Sequence, residues 1–225
     1  MCEGHGLKAG VARQSMDGKK LKIMVSSTVY GVEELLDRVY TLLTSFGYEV
    51  LMSHKGTIPV SSGQTAFQNC LAAVQQCDLF LGIITPQYGS GVDTTGISIT
   101  HQEMKFAIKL KKPRWFLAHD HVVFARTLLR ELGYKNQELR QTLSLKPKAT
   151  SITDLKVIDM YEDATMEQLP LNDRQGNWVQ KFDRDDDAGL FVVAQFSRYQ
   201  DLEQRLRDHL SDSEMVAQRL KDDHE

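Results

Sequence analysis

The spacing of apolar residues changes along the first half of the chain, and each change predicts a new strand or helix. Residues 21–27, LKIMVSS, form an apolar run that ends in small hydroxyl residues, which is typical of a short buried strand. The next apolar residues follow the three-and-four spacing of an amphipathic helix: Val32, Leu35, Leu36, Val39, Leu42, Leu43 and Phe46. Gly47 is placed to end that helix, and YEVLMS at residues 48–53 predicts the second strand.

The same cycle repeats as far as residue 118. Residues 61–77 and 95–112 each predict a loop followed by a helix, whereas DLFLGIIT at 78–85 and PRWFLA at 113–118 predict strands. Strands that are apolar on both faces and alternate with helices are typical of a parallel sheet covered on two sides. The pattern therefore predicts an α/β fold of the flavodoxin-like, doubly wound type, with a mainly parallel five-stranded sheet and helices on both faces.

The second half of the chain has a less regular pattern. VVFARTLLRELG at 122–133 predicts a helix whose buried side carries Leu128, Leu129 and Leu132. LKVIDMYED at 155–163 and NWVQKF at 177–182 look like short strands, and LFVVAQF at 190–196 predicts a last strong strand. Ser197 is then expected to cap a closing helix, SRYQDLEQRLRDHL.

Composition divides the chain into three parts. Residues 1–20 are rich in Gly, Lys and small polar residues without any period, which predicts a flexible arm. Residues 21–210 predict one domain, in which 121–190 form an irregular insertion or lid region. Residues 211–225 predict a charged tail.

Charge and cysteine content exclude some classes of protein. The chain has 27 basic and 30 acidic residues and no long basic run, so no nucleic-acid partner is expected. The three cysteines lack metal-ligand spacing. No apolar window is long enough to span a membrane, and the first 20 residues do not resemble a signal peptide. We therefore expect a cytoplasmic protein with reduced cysteines and no membrane partner.

Two loops are the expected site of function. In a doubly wound sheet, ligands bind beyond the carboxyl ends of the strands where the strand order reverses, which for a flavodoxin-like order lies between the first and third strands. The first loop offers Ser26, Ser27 and Thr28, whose hydroxyl and N–H groups suit phosphate or ribose oxygens, although such residues are also common helix caps. The candidate pocket residues of both loops are Ser26, Ser27, Thr28, Tyr30, Thr85, Tyr88, Gly89 and Ser90.

Glu103 is the candidate catalytic residue, and its sequence context allows two explanations. Thr100 and Glu103 match the pattern of a capping box, in which both side chains satisfy backbone donors at the start of a helix. Glu103 also lies one helical turn before Ala107, on the expected core-facing stripe. A carboxyl there would face the loop after the first strand, with the raised pKa of a general acid or base.

Two further features have structural alternatives. Tyr30 and Tyr88 are placed to stack on an aromatic ligand ring or to pack as lids. His119, Asp120 and His121 resemble metal ligands, yet no third ligand is apparent, so we expect a ligand-contacting or helix-capping role and no metal.

Three segments together resemble a known group of proteins. KIMVSSTVYGVEELLDRVYTLLTSFGYEVLMS, CDLFLGIITPQYGS and ISITHQEMKFAIKLKKP are similar to an uncharacterised bacterial family of unknown function that has an SSTV motif. That family is grouped with Toll/interleukin-receptor (TIR) domains and nucleoside 2-deoxyribosyltransferases. The resemblance covers residues 21–118, and the closing segment QFSRYQDLEQRL is similar as well.

The resemblance implies a function for Glu103. In TIR enzymes and deoxyribosyltransferases a Glu on the helix after the third strand enables cleavage of an N-glycosidic bond, and Glu103 is the matching residue. It implies NAD or a related nucleotide as substrate, self-association into a homo-oligomer, and a role in bacterial defence or signalling. Because the Ser-x-Trp-Cys stretch of TIR domains is absent, a non-catalytic nucleotide-sensing or self-assembly module stays open, as does a deoxyribosyltransferase or nucleosidase.

Overall fold

The computed structural model describes residues 20–89 and 91–199, and the sheet at its centre has five parallel strands. The strands are β1 (Lys22–Ser27), β2 (Glu49–Leu51), β3 (Leu79–Ile84), β4 (Arg114–His119) and β5 (Val179–Phe182). Their order across the sheet is β2-β1-β3-β4-β5. Every neighbouring pair is parallel, which confirms the predicted flavodoxin-like α/β fold.

Helices cover both faces of this sheet. They are α1 (Glu33–Ser45), α2 (Ala66–Gln76), α3 (Ile99–Lys109), α4 (Asp120–Glu131), α5 (Gln137–Arg140), α6 (Lys156–Thr165) and α7 (Asp185–Phe196). Short 3-10 turns lie at Ser53–Lys55 and Leu171–Asp173. Buried side chains of α1 and α7 pack on one face, and those of α2, α3, α4 and α6 pack on the other.

Alternation along β1 decides which side chains reach each face. Ile23 and Val25 point toward α1 and α7, whereas Met24 points toward α2 and α3. Ser26, the next residue on the Met24 side, is buried with 2% of its surface exposed. A hydroxyl residue therefore occupies a core position at the carboxyl end of β1.

The switch point lies where the sequence predicts it. β1 is bonded to β2 on one side and to β3 on the other, so the connections leaving β1 and β3 run to opposite faces of the sheet. The crevice expected in such a sheet lies at the carboxyl ends of these two strands. The loops concerned are residues 28–32 between β1 and α1, and residues 85–98 between β3 and α3.

Two segments predicted as strands are helices. LKVIDMYED lies in α6, where Val157, Met160 and Ala164 are buried at helical spacing. LFVVAQF lies in α7, which buries Phe191, Val192 and Phe196. The fifth strand is instead formed by part of NWVQKF.

Two smaller predictions about helices are also wrong. Ser197 is the C-cap of α7 rather than an N-cap, although the backbone is helical again at Tyr199, the last described residue, within the predicted closing helix. In α4, Leu128 and Leu132 are exposed, and Leu129 is partly buried, because Val122 and Arg126 form the buried side. Residues 1–19 of the predicted arm and the predicted tail at 211–225 lie outside the described residues, as does most of the predicted closing helix.

A buried carboxyl at the switch point

Glu103 lies in the second turn of α3 and is buried beside the end of β1, with 5% of its surface exposed. Its Oε2 atom accepts a hydrogen bond from Ser26 Oγ at 2.5 Å. Glu103 therefore faces the first strand, as its position on the core-facing stripe predicts. Its catalytic role stays a prediction.

Burial sets the chemistry of this carboxyl. It raises the pKa of Glu103 from 4.5 to about 7, against the hydrogen bonds from Ser26 and Cys70, which lower it. A carboxyl with this pKa exchanges a proton readily near neutral pH, which is the property of a general acid or base. Serine and cysteine hydrogens in contact with it also stabilise the ionised form.

Cys70 of α2 is the second polar partner of Glu103, and the sequence patterns did not identify it. Burial, followed by the charge and hydrogen bond of Glu103, raises the pKa of the Cys70 thiol to about 12. The thiol is therefore almost entirely protonated and acts as a hydrogen-bond donor rather than a nucleophile. The available signal was its position on α2, four residues before Val74 on the buried side of that helix.

The capping-box explanation of Glu103 is wrong. The N-cap of α3 is Ser98, two residues before Thr100, and its hydroxyl accepts a hydrogen bond from the backbone N–H of His101. Thr100 is inside the helix and buried. Glu103 is thus too far from the start of α3 to bond with the cap, and its carboxyl is available for the contact with Ser26.

The β1–α1 loop brings one of its candidate residues into a hydroxyl cluster beside this site. Thr28 is 6% exposed, its Oγ1 lies 2.6 Å from Thr85 Oγ1, and it donates to the carbonyl oxygen of Gln87 at 2.9 Å. Ser27 is half-buried and donates to the carbonyl of Thr28. Tyr30 is 69% exposed and is not part of the cluster.

The β3–α3 loop carries Tyr88 and Gly89, which differ in what they contact. The Tyr88 ring is 2% exposed, and its OH lies 2.9 Å from His101 Nδ1, so neither face is free to stack on a ligand in this conformation. Gly89 has a φ of +91°, and a Cβ there would lie 3.0 Å from Thr28 Cγ2. The two loops therefore touch, and Ser90 lies outside the described residues.

Polar residues that were not among the candidates predicted from sequence also lie near Glu103 and the β3–α3 loop. His101 Nε2 lies 2.8 Å from Asp163 Oδ2 on α6, and Asp93 accepts hydrogen bonds within its own loop from Thr95 and Ile97. His101 lies two residues before Glu103 and is therefore close to the candidate site in the sequence. Its partner Asp163 is 62 residues away, and no local sequence pattern indicates that contact. His119 is the N-cap of α4 and accepts from the N–H of His121, which supports the predicted capping role.

Four cavities within residues 20–89 and 91–199 lie away from Glu103. An apolar one of about 630 Å³ is bounded by α4 and residues 145–155. Others of about 420, 470 and 490 Å³ lie beside Arg140, between Leu21 and Leu110, and beside Arg114. None of these four is lined by Ser26 or Glu103. Because Glu103 is 5% exposed, contact with a substrate needs a movement of the groups that cover it.

Two kinds of feature are absent from the described part of the chain. No helix within residues 20–89 and 91–199 is long and apolar enough to cross a membrane. In the same ranges, no three side chains of His, Cys, Asp or Glu converge as a metal site.

Solved structures with a similar fold include two transferases and one protein without a stated activity. A 2-deoxyribosyltransferase from Bacillus psychrosaccharolyticus is 24% identical, with a TM-score of 0.32 over 43% of this chain and 72% of that one. A conserved protein from Enterococcus faecalis V583 is 10% identical, with a TM-score of 0.40 over 79% and 99%. A 2-desoxiribosyltransferase from Leishmania mexicana is 15% identical, with a TM-score of 0.36 over 67% and 100%. These likenesses concern the fold alone.

Sequence comparison identifies the family. No curated protein matches the chain. A family model described as "Domain of unknown function (DUF4062)" matches residues 22–211, which confirms the predicted membership in a family of unknown function. Because the match spans most of the sequence, this chain belongs to the DUF4062 family.

Proposed function

We propose that this protein is a TIR-like nucleotide-binding enzyme that cleaves the N-glycosidic bond of NAD or a related nucleotide. The observation that carries the proposal is the buried carboxyl of Glu103 at the β1/β3 switch point, hydrogen-bonded to Ser26. The resemblance of residues 21–118 to TIR and deoxyribosyltransferase domains supports the same residue. No metal takes part in this scheme.

The proposed reaction uses Glu103 in its ionised form. The bond between ribose C1′ and the nicotinamide nitrogen breaks, its electron pair neutralises the pyridinium, and positive charge develops on the ribose. A carboxylate stabilises that charge and then accepts a proton from the water that attacks C1′. The Ser26 hydroxyl, which donates to Glu103, holds the carboxylate in position. The products are nicotinamide and ADP-ribose.

The loop residues are the proposed ligand contacts. Ser27 and Tyr30 present exposed or partly exposed polar groups near the start of α1, where N–H groups favour phosphate oxygens. Thr28, Thr85 and Gly89 lie between these groups and the β3–α3 loop. Hydrogen bonds from Thr28 to a ligand would replace those that Thr28 makes with Thr85 and Gln87 in this structure.

Nicotinamide release tests the reaction. Purified protein at low and high concentration is incubated with NAD, and nicotinamide is quantified by chromatography. We expect turnover that increases with self-association, falls at least about 100-fold in Glu103→Gln, and rises with pH through about 7 as Glu103 ionises. The matched control, Glu138→Gln, changes an exposed carboxyl on α5 and should retain wild-type turnover.

Two outcomes would reject the proposal: absence of turnover by assembled protein, and equal turnover by Glu103→Gln. Deoxynucleosides offered in the same assay distinguish the related base-exchange or nucleosidase reaction, since that reaction releases a free base from them. Release of free base with no nicotinamide would assign the site to nucleosides.

A second candidate is a non-catalytic module that binds a nucleotide or self-assembles in a defence or signalling pathway. It is favoured by the closed state of the site, where Glu103 is 5% exposed and Thr28 is bonded to the β3–α3 loop. Light scattering across protein concentration, with and without NAD, measures its assembly. A constant monomer that binds no nucleotide would contradict this function.

A further inference from the structure

The described part of the β3–α3 loop, residues 85–89 and 91–98, is fastened to the connection between β4 and β5 through Tyr88. The backbone N–H of Tyr88 donates to Thr153 Oγ1 at 3.0 Å. Its OH lies 2.9 Å from His101 Nδ1 and accepts from the Ser98 N–H at 3.2 Å. Tyr88 is therefore held by its backbone and by its ring at once.

His101 extends this chain of hydrogen bonds to α6. Its Nε2 lies 2.8 Å from Asp163 Oδ2, and with Nε2–H donating to that carboxylate, Nδ1 is left to accept from Tyr88 OH. Burial acts to raise the pKa of Asp163, but the His101 hydrogen bond and the charge of Lys105 outweigh it and keep that pKa below its usual value. Asp163 is thus ionised and fixes the orientation of the imidazole.

Two further contacts join the same partners. Lys156 Nζ donates to the carbonyl of Gly96 at 2.7 Å and lies 5.7 Å from the centre of the Tyr88 ring. The backbone N–H of Thr153 donates to the carbonyl of Pro86 at 3.0 Å. Thr153 and Lys156 therefore contact both the beginning and the end of the loop, and Asp163 acts on Tyr88 through His101.

The opposite side of this loop closes against the end of β1. Gln87 accepts a hydrogen bond from Thr28 Oγ1, and Gly89 approaches Thr28 so closely that a Cβ would lie 3.0 Å away. Ser26, two residues before Thr28, donates a hydrogen bond to Glu103. The loop is thus bonded to residues 153–163 on one side and to Thr28, close to the buried carboxyl, on the other.

We propose that residues 153–163, here called the clamp, hold the β3–α3 loop closed over Glu103. Tyr88 is the positioning residue, since the clamp bonds to its backbone directly and to its OH through His101. Release of the clamp opens the path to Glu103. The inference rests on the proposed function in that Glu103 is taken as the reactive group. It gives the β4–β5 connection a defined task in controlling access to the site.

Cys70 is half-buried in the closed state and its thiol contacts Glu103, so an increase in its labelling reports opening of the site. Cys77, the C-cap residue of α2, is 1% exposed and reports global unfolding. In a Cys2→Ser background these two are the remaining thiols of the chain. Each is followed by N-ethylmaleimide labelling, digestion and mass spectrometry, in the absence of any nucleotide.

Tyr88→Phe removes the OH contacts while keeping the ring. We expect Cys70 to be labelled about tenfold faster than in the parent, with the Cys77 rate unchanged, as one lost buried hydrogen bond predicts. Thr153→Val removes the acceptor of the Tyr88 N–H at an exposed position and should act in the same direction by about threefold.

Substitutions of Asp163 separate positioning from general packing. Asp163→Leu removes the acceptor of His101 and should accelerate Cys70 labelling about tenfold. Asp163→Asn keeps an oxygen acceptor for His101 Nε2–H and should restore the parent rate. Thr127→Val, which removes a hydroxyl bonded within α4, is the matched control and should leave both thiols unchanged.

Equal acceleration of Cys70 and Cys77 would overturn the proposal, since that result means global unfolding. Unchanged Cys70 labelling in Tyr88→Phe and Asp163→Leu would overturn it as well. Because labelling requires no turnover, failure of the clamp is distinguished from failure of the proposed reaction. Absence of nicotinamide release together with selective Cys70 labelling would reject only the reaction.

Discussion

Glu103 is a buried carboxyl, whereas buried positions are usually occupied by apolar side chains. We therefore expect its ionisation to lower the free energy of unfolding. Its pKa is about 7 in the folded chain against a usual value of 4.5, so the folded state binds more protons between these pH values. Stability is therefore expected to fall as pH rises from 4.5 to 7, by about 3 kcal/mol in total.

Glu103→Gln should remove this pH dependence. Gln keeps an oxygen that accepts from Ser26 but cannot ionise, so the variant should be more stable than wild type above pH 7, by up to about 3 kcal/mol. The difference should vanish near pH 4.5. Urea unfolding at pH 5 and pH 8 measures it, with Glu138→Gln as the control, and parallel curves for wild type and Glu103→Gln would contradict the prediction.

Sequence patterns located Glu103 and Ser26 but not the other polar residues around them. Helical spacing placed the residue on the buried side of α3, and alternation along β1 puts Ser26 on the same face as Met24. Cys70 and Asp163 reach the region from α2 and α6. Helical spacing places Cys70 on the buried side of α2, but no pattern in a single sequence pairs it with Glu103, or Asp163 with His101. The capping pattern misled because Ser98, rather than Thr100, begins the helix.

At the scale of elements, Arg140 joins α5 to α6. It is 3% exposed, and its Nη2 donates to Asp159 at 2.6 Å and to Glu162 at 2.5 Å. Arg126 of α4 donates to the same Glu162 at 3.2 Å, so three helices share one carboxylate. Removal of one partner from such a buried network leaves charges that water cannot fully solvate.

Arg140→Met should therefore destabilise the protein by about 3 kcal/mol. Arg140→Lys, which keeps the charge but not the two-pronged geometry, should cost less. Chemical denaturation of both variants measures the difference. A change in Arg140→Met smaller than in Arg130→Met, which alters the more exposed Arg130–Glu167 pair, would contradict the prediction.

The two helices mistaken for strands show why short apolar runs are ambiguous. In α7, Leu190 is 69% exposed and Val193 is 39% exposed. Burial in LFVVAQF therefore follows a helical period, but the apolar residues on both sides of the helix make the run look like a buried strand. The residues that distinguish it come before the run. Asp185, Asp186 and Asp187 form the acidic first turn that the positive end of a helix dipole favours.

At the scale of the whole molecule, β3 is the middle strand of the sheet and is buried along its entire length. Its backbone amides should therefore exchange with deuterium most slowly, and those of the edge strands β2 and β5 faster. Hydrogen exchange followed by mass spectrometry measures this order. Protection of Val179–Phe182 equal to that of Leu79–Ile84 would contradict it.

The overall topology could be predicted because β1 to β4 and their helices follow one another with short loops and clear changes of period. The path from β4 to β5 could not, because α4, α5 and α6 intervene, and ion pairs between distant residues join these helices in addition to their apolar contacts. Exposed Leu128 and Leu132 on α4 reflect the same arrangement, since Arg126 occupies the buried side.

The order of the clamp and the carboxyl along the chain has a consequence during synthesis. Ser26 and Cys70 precede Glu103, whereas Asp163 follows it by about 60 residues, which a ribosome adds in about 3–12 s. A nascent chain can thus bring the Glu103 carboxyl together with the Ser26 hydroxyl and the Cys70 thiol before the contacts of the clamp form. Restraint of the site by the proposed clamp begins only when α6 has left the ribosome.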